Sequence, residues 1–249
     1  MAPGSIPVAG RQLTSAARSR PLYLLADSQL LFWKRQERLL LQPAVDELGA
    51  DTPLSAAYIG ASNGDRREFY DIFEAAMDAV GIADLHMVGS SFDADDRAFL
   101  ERSRVIVLAG GDVQTGWDIF ESTGMADVIR SRYAHGAVLV GISAGAIQLG
   151  RYGIVERSES VAPELLDVFK FVPAIIDTHD EHSGWARLSG TIDTLRGAAT
   201  GIGIPSGGGI IVHDDATIEP LRHPAHEFRY GEAGVVHSLL CPAEGLTAT

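Results

Sequence analysis

Ala137-Val-Leu-Val-Gly-Ile-Ser143-Ala-Gly-Ala-Ile-Gln-Leu-Gly150 is the stretch on which the reading of this chain turns. Its first five residues, 137–141, form an apolar run of the length and uniformity expected of a parallel strand buried on both faces. The run leads at once into Ser143, which has Gly141 and Gly145 two residues away on either side. A strand that turns sharply into a helix needs small neighbours, because two backbones must approach closely there. Such a turn exposes the serine Oγ, and the N–H groups opening the next helix face negative charge that develops beside it. A serine that merely caps an α/β helix is the plain alternative. The preceding apolar strand and the Ser-Ala-Gly-Ala run favour a nucleophile.

Upstream, strand and helix signals alternate. Leu22-Tyr-Leu-Leu-Ala26 is a short apolar run, and Gln29 to Leu48 reads as a helix that Pro43 bends or breaks. Residues 55–61 are a second strand. Asp65 and Glu68 have capping-box spacing before Phe69, Ile72, Phe73, Ala76, Met77 and Val80, which recur at helical spacing until Gly81. A third strand at 85–89, a short acidic helix over Asp93 to Ser103 and the strand 104–110 follow, and the last of these ends at Gly110-Gly111-Asp112. Helical sequence then extends to about Tyr133. This order predicts a doubly wound, mainly parallel α/β sheet, in which ligands bind beyond the carboxyl ends of the strands. The Gly-Gly-Asp loop and the serine turn both fall there.

Downstream, Ala174-Ile-Ile-Asp-Thr-His179 reads as a strand that delivers His179 at its end, and Gly184 to Gly197 as a helix. Short β runs at 209–214 and 234–240 predict a C-terminal strand meander. No linker divides the chain, so residues 21–249 are expected to form one α/β hydrolase domain, and residues 1–20 a loose tail.

Composition narrows the function. The net charge of -13 argues against nucleic acid, which requires clustered cations. With only Lys34 and Lys170, no Gly-rich loop carries the lysine of a phosphate-binding P-loop. No apolar run approaches the roughly 18 residues of a membrane span. The lone Cys241 excludes an intramolecular disulfide and suits a reducing, cytoplasmic setting.

The Gly-Ile-Ser143-Ala-Gly-Ala elbow with an upstream Gly-Gly-Asp strand end resembles the dipeptidase E and cyanophycinase family of serine peptidases. The similarity runs from Pro21 to about Val236. It implies a class I glutamine amidotransferase-like, flavodoxin-like fold in which serine replaces the cysteine nucleophile. With no cysteine at the elbow, the usual glutaminase chemistry is excluded.

A serine hydroxyl needs a base, and histidine is the usual one. His179 stands 36 residues after Ser143, at a strand end, in an Asp177-Thr-His179 segment that matches the family's catalytic histidine. The resemblance assigns the oxyanion donors to the N–H groups of Gly111 and Ala144. It also implies an acid between serine and histidine, for which Glu159 is favoured over Glu156, with Asp177 as a third choice. Asp112, Gln114 and Trp117 lie close enough to the Gly-Gly-Asp loop to line a substrate pocket, although Trp117 is equally suited to the core. Asp180 and Glu181, beside the base, would complement a cationic group on the substrate. His179 and His182 lack the helical spacing of a zinc site, so neither metal nor another cofactor is expected. Late in the chain the family tends to carry an acid where this sequence has Gly203-Ile-Pro-Ser206-Gly207, which sets polymeric cyanophycin apart from the expected substrate.

The expected activity is therefore hydrolysis of an amide or isopeptide bond in a small peptide, aspartyl- or β-aspartyl-linked, through an acyl-enzyme. Nothing in the chain opposes a homodimer. An α/β-hydrolase esterase, whose histidine would fall between His213 and His237, and an inactive amidotransferase-like binding protein are the alternatives.

Overall fold

The structure, a computed structural model, describes residues 20–49, 53–155 and 164–243. The chain opens with β1 (Leu22–Leu25), all four residues of which are buried. A small hairpin follows, β2 (Lys34–Arg35) and β3 (Arg38–Leu39), and then the short helix α1 (Gln42–Glu47). The long helix expected over 29–48 is thus replaced. Gln36 and Glu37 both take positive φ, the backbone of a tight two-residue hairpin turn, and Pro43 sits in the first turn of α1, where its missing N–H costs nothing.

The regular α/β alternation then begins: β4 (Ser55–Ile59), α2 (Arg67–Ala79), β5 (Asp84–Val88), α3 (Ala94–Arg102), β6 (Val105–Leu108), α4 (Val113–Thr123), α5 (Met125–Ala134), β7 (Val138–Ile142) and α6 (Ala144–Leu149). The apolar stripe of α2 buries Phe73, Ala76 and Met77 as its spacing predicts. The expected capping box does not form, because Asp65 lies outside the helix and its Oδ2 accepts from Ser90 N at 2.8 Å.

After α6 come the paired strands β8 (Tyr152–Val155) and β9 (Glu164–Asp167), then β10 (Ala174–Thr178), α7 (Ala186–Leu195), β11 (Thr200–Ile204), β12 (Gly209–Val212), β13 (Ile218–Leu221), β14 (Ala225–Gly231) and β15 (Gly234–Leu240).

Among the described residues the main sheet has the order β13-β12-β1-β7-β6-β4-β5. Its β1, β7, β6, β4 and β5 run parallel, and β12 and β13 close one edge antiparallel. The chain steps outward from β4 to β5 and returns to β6 on the other side of β4. That reversal opens a crevice at the carboxyl ends of β4 and β6, next to the end of β7.

A second sheet, β10-β11-β14-β15, supplies His179. The expected meander is present, but it is shared between the sheets: β12 and β13 extend the main one, β14 and β15 the other. A single core cluster joins them, running from Leu24, Leu108 and Leu139 to Ile176, Ile202 and Ile204. Among the described residues no helix is long and apolar enough to cross a membrane.

Candidate active site

Ser143 occupies the junction of β7 and α6 with φ 50° and ψ −109°, a conformation that side chains rarely adopt. Its N–H is tied to Leu25 O at 2.8 Å and its C=O accepts from Ile147 N at 3.1 Å. The side chain makes no capping bond to α6. That removes the plain reading of this serine as a helix cap and leaves the hydroxyl available for chemistry. Both flanking glycines are required by contact. A Cβ on Gly141 would lie 2.5 Å from Gly145 O, and one on Gly145 would lie 2.3 Å from Leu108 O.

The Gly110-Gly111-Asp112 loop abuts this elbow, since a Cβ on Gly110 would come within 3.3 Å of Ser143 Cβ. Gly111 has φ +136°, and Asp112 N donates to Ser62 O at 2.7 Å. A Cβ on Gly111 would sit 2.0 Å from that same carbonyl. Behind it, buried Gln148 donates to Ser62 Oγ and Val113 O, both at 3.1 Å, fixing the ends of β4 and β6 to the elbow helix. We expect Gly111→Ala to lower the melting temperature by roughly 5–10 °C, the equivalent of ~2–3 kcal/mol for a domain of this size, and to remove activity. A melting temperature within a degree of wild type would show that the loop is not held as described.

His179 follows β10, with its N–H on Ile204 O at 3.2 Å and an exposed side chain. Its Nδ1 lies 3.1 Å from Ser206 Oγ. Ser206 is held in turn by Glu181, whose Oε1 accepts from Ser206 N at 3.1 Å. Burial pushes the Glu181 carboxyl up, but the hydroxyl and N–H of Ser206 outweigh it, and the net result is below the usual carboxylate range. Asp27 Oδ2 accepts from Gly207 N at 2.7 Å and pins the same turn to the end of β1.

The remaining acid candidates stand elsewhere. Asp177 is buried and gripped by Arg187, whose Nε lies 3.1 Å from Oδ2 and whose Nη2 pairs with Oδ1. Burial raises its carboxyl above the usual range, with Arg187 pulling the other way. It is a structural ion pair rather than a partner of the histidine. Glu156 and Glu159 lie outside the described residues.

Ser143 and His179 together form the rim between two cavities. One, of about 370 Å³, is polar and lined by Gly111, Asp112, Gln114, Ala144, Thr178 and Arg187 among others. The other, of about 210 Å³, is apolar. The expected residues Gly111, Ala144, Asp112 and Gln114 are therefore brought together with the serine and the histidine. Asp112 also caps α4 through Thr115 N at 2.7 Å, and Gln114 Nε2 reaches Asp118 Oδ1 at 2.7 Å.

Trp117 is corrected: only 2% exposed, it packs against Phe120 and Phe169 in the core. Asp180 and Glu181 are not among the residues of either cavity wall, and Glu181 instead supports Ser206. Of the late histidines, His213, His226 and His237 are engaged elsewhere. His213 Nε2 lies 2.9 Å from Glu219, and His226 Nδ1 lies 3.0 Å from His237 Nε2. Among the described residues no three His, Cys, Asp or Glu side chains converge as metal ligands.

Sequence reasoning missed Ser206, Asp27 and Arg187. The Gly-Ile-Pro-Ser-Gly segment that carries Ser206 was visible, but only for the acid it lacks.

A serine at a strained strand-to-helix elbow, sharing cavity walls with a histidine at the crevice of a doubly wound sheet, is the arrangement of a serine hydrolase. Residues 53–219 match the family model of Peptidase family S51, and the chain belongs to that family, the dipeptidase E family of serine peptidases. Among solved structures it is similar to a peptidase from an acI-B1 Actinobacterium, at 14% identity and a TM-score of 0.65, over 92% of this chain and 96% of that one. It also resembles a putative peptidase E protein from Listeria monocytogenes EGD-e, at 16% identity and a TM-score of 0.52, over 89% and 98% of the two chains. At these identities the likeness is one of fold. Among curated proteins there is no match.

Proposed function

We propose that this serine peptidase cleaves amide or isopeptide bonds of small aspartyl- or β-aspartyl-linked peptides through an acyl-enzyme. Ser143 Oγ attacks the carbonyl carbon, and His179 takes the hydroxyl proton and passes it to the leaving amine. The N–H groups of Gly111 and Ala144 receive the oxyanion. Water, deprotonated by His179, then releases the acid and restores the serine. The carboxylate behind the base is Glu181, which holds the Ser206 backbone N–H while the Ser206 hydroxyl accepts from His179 Nδ1–H. The observation that carries this reading is the uncapped hydroxyl of Ser143 on the same cavity walls as His179.

The aspartyl preference is supported by the chain's place in the dipeptidase E family. A fluorophosphonate should label Ser143 alone, and Asp-Xaa dipeptides should be hydrolysed faster than the matching Asn-Xaa compounds. Labelling elsewhere, or none, would defeat the serine-nucleophile reading. Equal rates on the two dipeptide series would defeat only the aspartyl preference.

A further inference from the structure

The apolar cavity beside Ser143 has no part in the chemistry above. Its walls are Leu31, Tyr58, Phe69, Ile72, Phe73 and Ile142, with Ser143 and His179 at its mouth. Phe69 and Ile72 come from α2, so the first helix after β4 builds a wall of the cleft. Phe69 is 39% exposed, and its place on this wall gives a reason for leaving so large an apolar ring in water. Among the described residues Asp27 is the one carboxylate on the wall, and both its oxygens are engaged, Oδ1 with Gln29 N at 3.3 Å and Oδ2 with Gly207 N at 2.7 Å. A cation placed here would lose hydration and find a carboxylate already committed to backbone donors. The volume, about 210 Å³, exceeds the ~150 Å³ that admits a benzene ring, which suits one branched or aromatic side chain.

We infer that this cavity is the subsite for an apolar side chain on the amine side of the scissile bond, so that the preferred substrates join an aspartyl unit to leucine, phenylalanine or a residue like them. The assignment of sides rests on the proposed function. With the oxyanion donors Gly111 and Ala144 on the polar wall, the acyl aspartyl unit lies there and the leaving residue extends the other way. The basic leaving group expected from Asp180 and Glu181 is the competing specificity.

The test is kcat/KM on Asp-Leu, Asp-Phe, Asp-Ala and Asp-Lys with the full-length protein. Each methylene buried in such a pocket is worth tenfold or more, so Leu and Phe should exceed Ala and Lys by about 10- to 100-fold. Phe69→Ala with Ile72→Ala should cut the Leu-to-Ala ratio about tenfold. Ile72→Trp, which fills the cavity, should lower Asp-Phe turnover more than Asp-Ala turnover. Equal rates across the series, or Lys preferred over Leu, in a protein whose Ser143 still labels with fluorophosphonate would overturn the subsite and leave the peptidase reading standing. Absence of both labelling and amide hydrolysis would overturn the two together.

Discussion

Ser143→Ala should abolish turnover, with kcat/KM reduced at least ~10³-fold, while the fold and its stability stay as they are. The reasoning is local. Serine and alanine meet the same backbone penalty at φ 50° and ψ −109°, so the exchange adds no strain. The hydroxyl caps nothing, so no helix bond is lost. What disappears is the attacking oxygen, and the remaining donors and cavities contribute only binding and oxyanion stabilisation. Steady-state kinetics and a thermal melt check both halves. Activity above a tenth of wild type would place the nucleophile elsewhere, and a drop of several degrees in melting temperature would show a structural role for the hydroxyl.

His179→Ala should cost about as much, because nucleophile and base act as one unit and losing either disables both. Added imidazole should restore part of the rate if the ring is needed only as a proton acceptor. Ser206→Ala separates positioning from chemistry. It leaves the base in place and the residue-206 N–H on Glu181, but removes the hydroxyl 3.1 Å from Nδ1. We expect kcat to fall about 10- to 100-fold with KM little changed, and Ser206→Thr to recover most of it. A change in KM alone would make Ser206 a substrate contact. Full activity in Ser206→Ala would mean that another group orients the ring.

The site was legible in the sequence where its geometry is local. The elbow declares itself because its constraints, a buried strand, two close backbone approaches and a turn, all fall within Val138 to Ala146. The Gly-Gly-Asp loop is similar, with Gly111 forced by the carbonyl of Ser62. His179 was readable from the strand that ends at it. Ser206 was not, because its proximity to His179 follows from the parallel register of β10 on β11, which pairs Thr178 with Ile204. No spacing along the chain reports such a pairing.

The two misread elements have equally physical causes. Leu30, Leu31 and the run Leu39-Leu40-Leu41 mimic a helical stripe, whereas Gln36 and Glu37 turn the chain back without the glycine or asparagine that would advertise a hairpin. Trp117 stands one turn beyond the Gly-Gly-Asp loop, and helical rotation carries it away from the cleft and into the aromatic cluster with Phe120 and Phe169.

Ser143 follows a strand of one sheet, and His179 follows a strand of the other. The two halves are fastened near the cleft by Ala26 N to Gly208 O at 2.9 Å, Asp27 to Gly207, and the shared core beneath. Each sheet could keep every internal bond while swivelling slightly on its neighbour, and the proton would then have too far to travel. On the proposed mechanism, turnover works as a vernier on the alignment of the two halves, far finer than any measure of secondary structure. Substitutions at buried Ile176, Ile202 or Ile204 would be felt first as lost catalysis and only later as lost fold.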